Sequence, residues 1–236
     1  MNGELMPRTI SRDVSGFGVF SHGDAGEAHV MAHRMLDEKR HELGHRLLGA
    51  WLKRHQGAGS DWTHLQWHMA VFEIAVGEWN AAFARFEREI LPVATQSDDA
   101  LTDGPAMAWR LWLSAPSSVE LPWEPLRAAA IRNLGKHECP YVELHCLLAL
   151  AGARDVEALD EWLRIRRQCK DETTLLLAQL TVGLRAFATS DYELAASVLD
   201  GAVPRVSELG GSLAQNRLFA EIAGVCWEYA QMRAAA

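Results

Sequence analysis

The feature that most constrains the fold is a pattern of chain breaker, aromatic residue and alanine that occurs twice. Residues 77–82 read Gly-Glu-Trp-Asn-Ala-Ala, and residues 190–195 read Ser-Asp-Tyr-Glu-Leu-Ala. The alanine lets two helices approach closely, and the aromatic ring packs back on the hairpin that the two helices form. The pattern is typical of the second helix in a helix–turn–helix repeat of about 34 residues.

Capping patterns, glycines and prolines divide the rest of the chain into short helices. The sequence predicts helices at about 24–37, 41–55, 60–76, 78–91, 98–114, 123–134, 140–151, 155–167, 172–189, 190–208 and 212–232. Alanine, leucine, glutamate and arginine are abundant and β-branched residues are sparse, which favours helix over strand. We therefore expect an all-α fold, a right-handed α–α superhelix of five to six hairpins over residues 24–236, preceded by an N-terminal arm or loop at residues 1–23.

Composition narrows the class of function. The chain has 31 acidic and 23 basic residues and a net charge of −8, which argues against a nucleic-acid partner held by bulk attraction to phosphate. It has no apolar run of about 18 residues, so no membrane partner is expected. The first residues lack the apolar core of a secretory signal, and the four cysteines form no CxxC pair. We expect a soluble, cytoplasmic protein.

Polar residues recur in register along the first helices of successive hairpins. The spacing within each pair is i,i+4 and the step from pair to pair is 35 residues, for the pairs His29/His33, His64/His68 and Asp99/Asp103. An i,i+4 pair shares one helix face. In a right-handed stack of hairpins these helices line the concave side, so the pairs should converge on one groove. The fourth such helix places Tyr141 and His145 at the same spacing.

This row of side chains, the polar seam, is compatible with several kinds of chemistry. Neutral imidazoles and carboxylates bind divalent transition metals, and His29, His33, His64 and His68 are the candidate metal ligands. A carboxylate could instead orient a histidine for acid–base catalysis. The seam could also hydrogen-bond a polar ligand, or its histidines could satisfy backbone groups and one another. The candidate groove residues are His29, His33, His64, Trp67, His68, Asp99, Asp103, Tyr141 and His145.

Two functions are compatible with this chemistry. The first is a binding module whose groove holds a polar small molecule or a protein segment, since helical-repeat arrays usually bind partners. The second is a metal-dependent or His/Asp acid–base enzyme that acts on a small polar substrate in the same groove. The string His41-Glu-Leu-Gly-His45 matches the HExxH motif of zinc peptidases. We discount it because the metzincin extension is absent and the first downstream glutamate, Glu73, falls on the next predicted helix, beyond His64 and His68.

Taken together, several segments resemble the tetratricopeptide repeat protein 38 family and its bacterial relatives, over roughly residues 24–232. They are residues 28–33, 64–71 (HLQWHMAV), 77–82, 90–92, 99–103 with 109–111, 145 with 151–152, and 209–215. The resemblance implies a tetratricopeptide-like superhelix and no particular reaction, and the seam coincides with the family's histidine and aspartate motif positions. Family members are about twice as long, so the resemblance implies a groove that is more open, closed by the chain's own arm, or completed by a second subunit in a homodimer.

Overall fold

A computed structural model describes residues 23–115, 119–136 and 139–235, which form helices and connecting turns without a strand. The helices are α1 Gly23–Asp37, α2 His41–Leu52, α3 Gly59–Ala75, α4 Trp79–Arg85, α5 Leu91–Ala94, α6 Asp103–Ser114, α7 Trp123–Asn133, α8 Pro140–Gly152, α9 Val156–Arg166, α10 Glu172–Ala188, α11 Tyr192–Ala202 and α12 Leu213–Ala234. The predicted all-α class is confirmed for this part of the chain. The predicted N-terminal arm lies outside the described residues, apart from Gly23, which begins α1.

Side-chain caps fix where several helices begin. The caps are Asp155 for α9, Asp171 for α10, Asp191 for α11 and Ser212 for α12, and each accepts a hydrogen bond from a backbone N–H in the first turn. Ser212 forms a capping box with Gln215. The predicted start of a helix at residue 190 is one residue early, because Ser190 adopts a left-handed conformation with φ of 62° and the capping position falls to Asp191.

The alanines of the two repeated patterns are buried as the sequence predicts, and the two aromatic residues make different contacts. Ala82 of α4 and Ala195 of α11 are fully buried, where each lets its helix approach the preceding one closely. The Trp79 ring stacks on Phe83 of the same helix at 5.2 Å, and its indole N–H donates a hydrogen bond to the carbonyl of Leu111 on α6, outside its own hairpin, at 3.0 Å. In the second pattern, the Tyr192 ring lies 5.8 Å from the Phe187 ring on α10.

Pro92 does not end the fourth helix, contrary to the sequence prediction. The backbone passes from α4 through one π-helical turn, Phe86–Ile90, directly into α5. Pro92 is the second residue after the π-helical turn, so the residue that has no N–H to donate falls where the hydrogen-bond pattern changes from π-helical to α-helical.

One helix of each hairpin belongs to a row of successive contacts, which we call the inner row. It consists of α1, α3, α6, α8 and α10. Along this row α1 contacts α3, α3 contacts α6, α6 contacts α8 and α8 contacts α10. The last helix, α12, packs against its neighbour α11 but also against α6 and α1, so it lies across the inner row. Among the described helices, none combines the length and the apolar character needed to cross a bilayer.

Candidate metal centre

Four histidines from two helices meet in the interior and form a histidine cluster. His29 and His33 stand one turn apart on α1, and His64 and His68 stand one turn apart on α3. Because α1 and α3 are neighbours in the inner row, the two pairs face each other. His64 and His68 have no exposed surface, His29 is buried and His33 is half-buried.

The histidine cluster has the dimensions of a metal site. One ring nitrogen from each histidine can be chosen so that all four lie within 4.8 Å of one another. The Nε2 atoms of His29 and His33 are 2.9 Å apart, and the ring centroids of His64 and His68 are 4.6 Å apart. Tetrahedral zinc with nitrogen ligands at about 2.0–2.1 Å would set them about 3.3 Å apart. Small side-chain adjustments separate the present arrangement from that geometry.

Burial keeps two members of the cluster, His29 and His68, uncharged. Desolvation lowers the pKa of His29 from its ordinary value to about 3, and the neighbouring His64 and His33 act in the same direction. Desolvation also holds the pKa of His68 well below its ordinary value, with the other three histidines and Arg110 adding to the effect. Imidazole binds metals in its neutral form, so His29 and His68 are in the ligating state at neutral pH.

An aspartate holds one member of the cluster in place. The Nδ1–H of His64 donates to Oδ1 of Asp103 at 2.9 Å, and both side chains are almost completely buried. This bond assigns the proton of His64 to Nδ1 and leaves Nε2 with its lone pair. A carboxylate behind a histidine is the usual outer partner of a metal ligand, because it fixes the tautomer and the ring orientation. Asp103 occupies the first turn of α6, where the helix dipole favours a negative charge.

Asp99 does not join the seam, which corrects the prediction for that residue. The sequence predicts a helix from about residue 98, whereas α6 begins at Asp103, so Asp99 lies in the turn before the helix. Its side chain is exposed. The i,i+4 argument requires both residues to be helical, and only Asp103 meets that condition.

Tyr141 and His145 of α8 are also buried, outside the histidine cluster. The Nδ1–H of His145 donates to the Tyr141 carbonyl at 2.8 Å, and the two rings lie 4.4 Å apart. Burial lowers the pKa of His145 to about 4. Within the described residues, the histidine cluster is the group of side chains with ligand atoms close enough for a metal, and neither Tyr141 nor His145 belongs to it.

Trp67 is buried in the interior and does not face an open groove. Its indole is fully buried and stacks on the His64 ring at 5.6 Å with an angle of 5° between the planes. The guanidinium carbon of Arg110 also lies over this indole, 5.6 Å from its centre. Trp67 therefore lies between the histidine cluster and a buried positive charge.

Arg110 is a buried charged residue near the site that the sequence predictions missed. It is buried on α6 and donates to the Ala214 carbonyl at 2.6 Å and to the exposed Glu221 at 3.1 Å, both on α12. These bonds tie α12 across the inner row. Arg110 stands seven residues after Asp103, which is two helical turns along the same face of the helix. This spacing could have predicted that Arg110 lies on the buried face of α6.

The glycine turn that leads into α12 covers Tyr141. Gly211 has φ of 79°, and a Cβ at this position would lie 2.4 Å from the Tyr141 ring, so only glycine fits. Further along α12, the Phe219 ring contacts the His145 ring at 6.4 Å. The open groove that the sequence predicts is therefore not present beside Tyr141 and His145, because α12 and the turn before it cover them.

The histidines of the HExxH string lie elsewhere. His41 and His45 are half-buried on α2, and His45 lies 3.3 Å from Glu78, which precedes α4. They do not belong to the histidine cluster.

The comparison with known proteins found neither a family model nor a solved structure that matches this chain. The residues of the site are therefore the basis for assigning a function.

Proposed function

We propose that the chain is a metal-binding helical protein that holds one divalent transition-metal ion in the histidine cluster. The observation that carries the proposal is the meeting of four imidazole nitrogens within 4.8 Å, supplied as two i,i+4 pairs by adjacent helices. Nitrogen ligands without thiolates or carboxylates favour zinc, with copper, nickel and iron as alternatives. Four protein ligands complete a tetrahedral zinc shell, which is typical of a structural site.

The surroundings support a metal more than a peptide or protein ligand. The seam residues other than Asp99 are buried or half-buried, and α12 packs against α1 and α6, the helices that a protein segment in the predicted groove would have to contact. Burial of four imidazoles costs free energy unless their nitrogens find partners. His68 illustrates this cost, because neither of its ring nitrogens has a hydrogen-bond partner in the described structure. A metal ion would provide one.

A catalytic role for the metal is the second candidate. It is favoured by the exposure of one ligand, because His33 is half-buried while the other three are buried. A catalytic zinc needs three protein ligands and one position for water or substrate. His33 is the ligand that a substrate could replace, and the enzyme would then be a metal-dependent one acting on a small polar molecule.

We further infer the arrangement of the helices, the partners and the cellular location of the protein. The succession of inner-row contacts and the two repeated packing patterns support a tetratricopeptide-like right-handed superhelix, in keeping with the resemblance to the tetratricopeptide repeat protein 38 family. The net charge of −8 supports a protein without a nucleic-acid partner. A cytoplasmic location, a bacterial source and a homodimer remain proposals that rest on the sequence.

Metal analysis of untagged protein tests the proposal directly. We expect about one equivalent of a transition metal per chain, with zinc the first candidate, and its loss in the double variant His64→Ala/His68→Ala. The matched control is His41→Ala/His45→Ala, which removes another i,i+4 histidine pair outside the cluster and should retain the metal. Wild-type protein that carries no metal and takes up none after incubation with zinc, cobalt or nickel would refute the proposal.

The visible absorption spectrum of bound cobalt reports the coordination geometry of the site. Cobalt added to chelator-treated protein should develop the intense visible absorption of a tetrahedral ion, and zinc should displace it. The variant His33→Ala separates the structural from the catalytic form, because a site that keeps cobalt with three histidines and a water fits the catalytic form. Loss of the metal in this variant would favour the closed, structural form.

A further inference from the structure

A cleft of about 500 Å³ lies between α3, α6 and α12, next to the histidine cluster. Its walls include Leu36 and Val71, which stand three residues after His33 and His68. The cleft therefore begins about one helical turn beyond the cluster along α1 and α3. Its volume is in the range of sites that bind small organic molecules.

The walls of the cleft are more apolar than polar. Val71 and Ile74 come from α3, Leu113 comes from α6 and Val225 comes from α12, so three helices supply apolar side chains to it. An apolar guest gains free energy when it leaves water for such a surface. The body of a molecule that fits the cleft is therefore apolar.

Two arginines line the same cleft. Arg110 is 8% exposed, and its partner Glu221 lies 3.1 Å away. Arg217 is half-buried and donates to the carbonyl of Leu36 at 3.3 Å, and among the described residues it forms no ion pair. The Nε–H of Arg110 also has no hydrogen-bond partner in this part of the chain. Two guanidinium groups with one carboxylate between them give this end of the cleft an excess positive charge.

The other acidic residue on the walls stands far from this end. Glu228 comes eleven residues after Arg217 on α12, which separates the two by about 16 Å along the helix. His41 is the remaining titratable group that lines the cleft. The charge at Arg110 and Arg217 therefore favours an anionic group at one end of the guest.

Gly224 leaves space on the α12 side of the cleft. Glycine is a poor helix former, yet Gly224 lies inside α12 and lines the cleft. A Cβ at this position would have no atom within 4 Å, so no packing contact among the described residues requires glycine here. A larger side chain would extend into the cleft. This glycine is a second observation, independent of the arginines, that indicates an occupant.

We propose that the cleft binds an amphipathic monocarboxylate. Its carboxylate pairs with Arg110 and Arg217, because a guanidinium offers a carboxylate charge-assisted hydrogen bonds. Its apolar chain lies along Val71, Leu113 and Val225. The inference goes beyond the metal centre and does not depend on it, since the four histidines of the cluster are not among the described residues that line the cleft.

Calorimetric titration of the full-length protein with hexanoate tests the inference. Acetate is the control without an apolar chain, hexan-1-ol lacks the charge, and hexylammonium carries the opposite charge. We expect hexanoate to bind about tenfold or more tightly than each control, because each loses either the apolar burial or the contact with the guanidinium groups. Equal or tighter binding of any control would overturn the inference.

Gly224→Leu tests the position of the apolar chain. It should weaken hexanoate binding by about tenfold or more, because the new side chain fills the cleft. Its melting temperature should not fall, since leucine is the better helix former and its Cβ has open space. The matched control is Gly201→Leu, an exposed glycine of α11 outside the cleft, which should bind hexanoate as the wild type does. Equal affinities of Gly224→Leu and the wild type would contradict the proposed position.

Two further variants test the position of the carboxylate. Arg217→Gln should weaken hexanoate binding by about tenfold, because it removes a positive charge from the cleft. Glu221→Gln should tighten binding by about threefold or more, because it removes the carboxylate that competes for Arg110. Changes in the opposite directions would assign the cleft to a cation and refute the proposal.

Titration with and without zinc separates this inference from the proposed function. Hexanoate binding by chelator-treated protein, sensitive to Gly224→Leu, would support the cleft whether or not the histidine cluster takes up a metal. Binding that requires zinc and is unaffected by Gly224→Leu would place the carboxylate on the metal, which overturns the inference and supports the metal centre. Zinc uptake without hexanoate binding would refute the cleft and leave the metal centre intact.

Discussion

Acid should destabilise the folded protein through His145, and the magnitude can be worked out from its burial. The pKa of this imidazole falls from about 6.5 in the unfolded chain to about 4 in the folded protein. The unfolded chain therefore takes up the proton first as the pH drops. Stability contributed by His145 is complete above pH 6.5 and is lost between pH 6.5 and pH 4. The loss should reach about 2 kcal/mol at pH 5 and about 3 kcal/mol below pH 4.

The variant His145→Asn isolates this contribution. An asparagine amide can replace the Nδ1–H that donates to the Tyr141 carbonyl, and it does not titrate. Urea unfolding of both proteins at several pH values between 7.5 and 4.5, with a chelator present, gives the free energy of unfolding of each. The difference between the two proteins should shift by about 2 kcal/mol between pH 7.5 and pH 5 in favour of the variant.

His29 and His68 should steepen the acid unfolding of both proteins equally, because burial depresses the pKa of each in the folded state. Their effect cancels in the comparison between wild type and variant. Parallel pH profiles for the two proteins would refute the reasoning, since they would show that His145 takes up its proton at the same pH in the folded and unfolded states.

Two further substitutions test the packing. Ala82→Leu should destabilise the protein by about 1–3 kcal/mol in urea unfolding, because Ala82 is fully buried, and an unchanged midpoint would contradict its placement between α3 and α4. Gly211→Ala should cost more than the backbone strain of about 1 kcal/mol, since its Cβ would also meet the Tyr141 ring at 2.4 Å. Gly59→Ala is its control, with φ of 80° and open space around the new Cβ, and equal losses in thermal unfolding would exclude the contact with Tyr141.

The sequence predicts the helices well because their signals are local. A cap such as Ser212 with Gln215 acts within a few residues, and the breaker at Gly77 has φ of 85°, which favours glycine. The 35-residue step succeeds for His29 and His64 for a related reason, since the helices that carry them are neighbours and preserve the register. It fails for Asp99 because the start of α6 depends on how the turn after α5 closes, which no periodicity encodes.

The position of α12 could not be predicted from the sequence. Its contacts with Arg110 join residues more than 100 positions apart, and periodicity carries no information at that distance. The sequence pattern of the inner-row helices is the same whether these helices line an open groove or are covered by another helix. The sequence therefore could not show that the predicted groove is covered. The spacing from Asp103 indicates that Arg110 faces the interior. No sequence pattern identifies the residues of α12 to which Arg110 donates its hydrogen bonds.

The path of α12 also has a consequence for biosynthesis. This helix comes after all the others along the chain, yet it contacts α1 and α6. In a nascent polypeptide, the imidazoles of α1 and α3 and the side chain of Arg110 are therefore not covered by α12 until that helix has emerged from the ribosome. A metal ion that belongs in the histidine cluster has its easiest entry during that interval, before α12 docks.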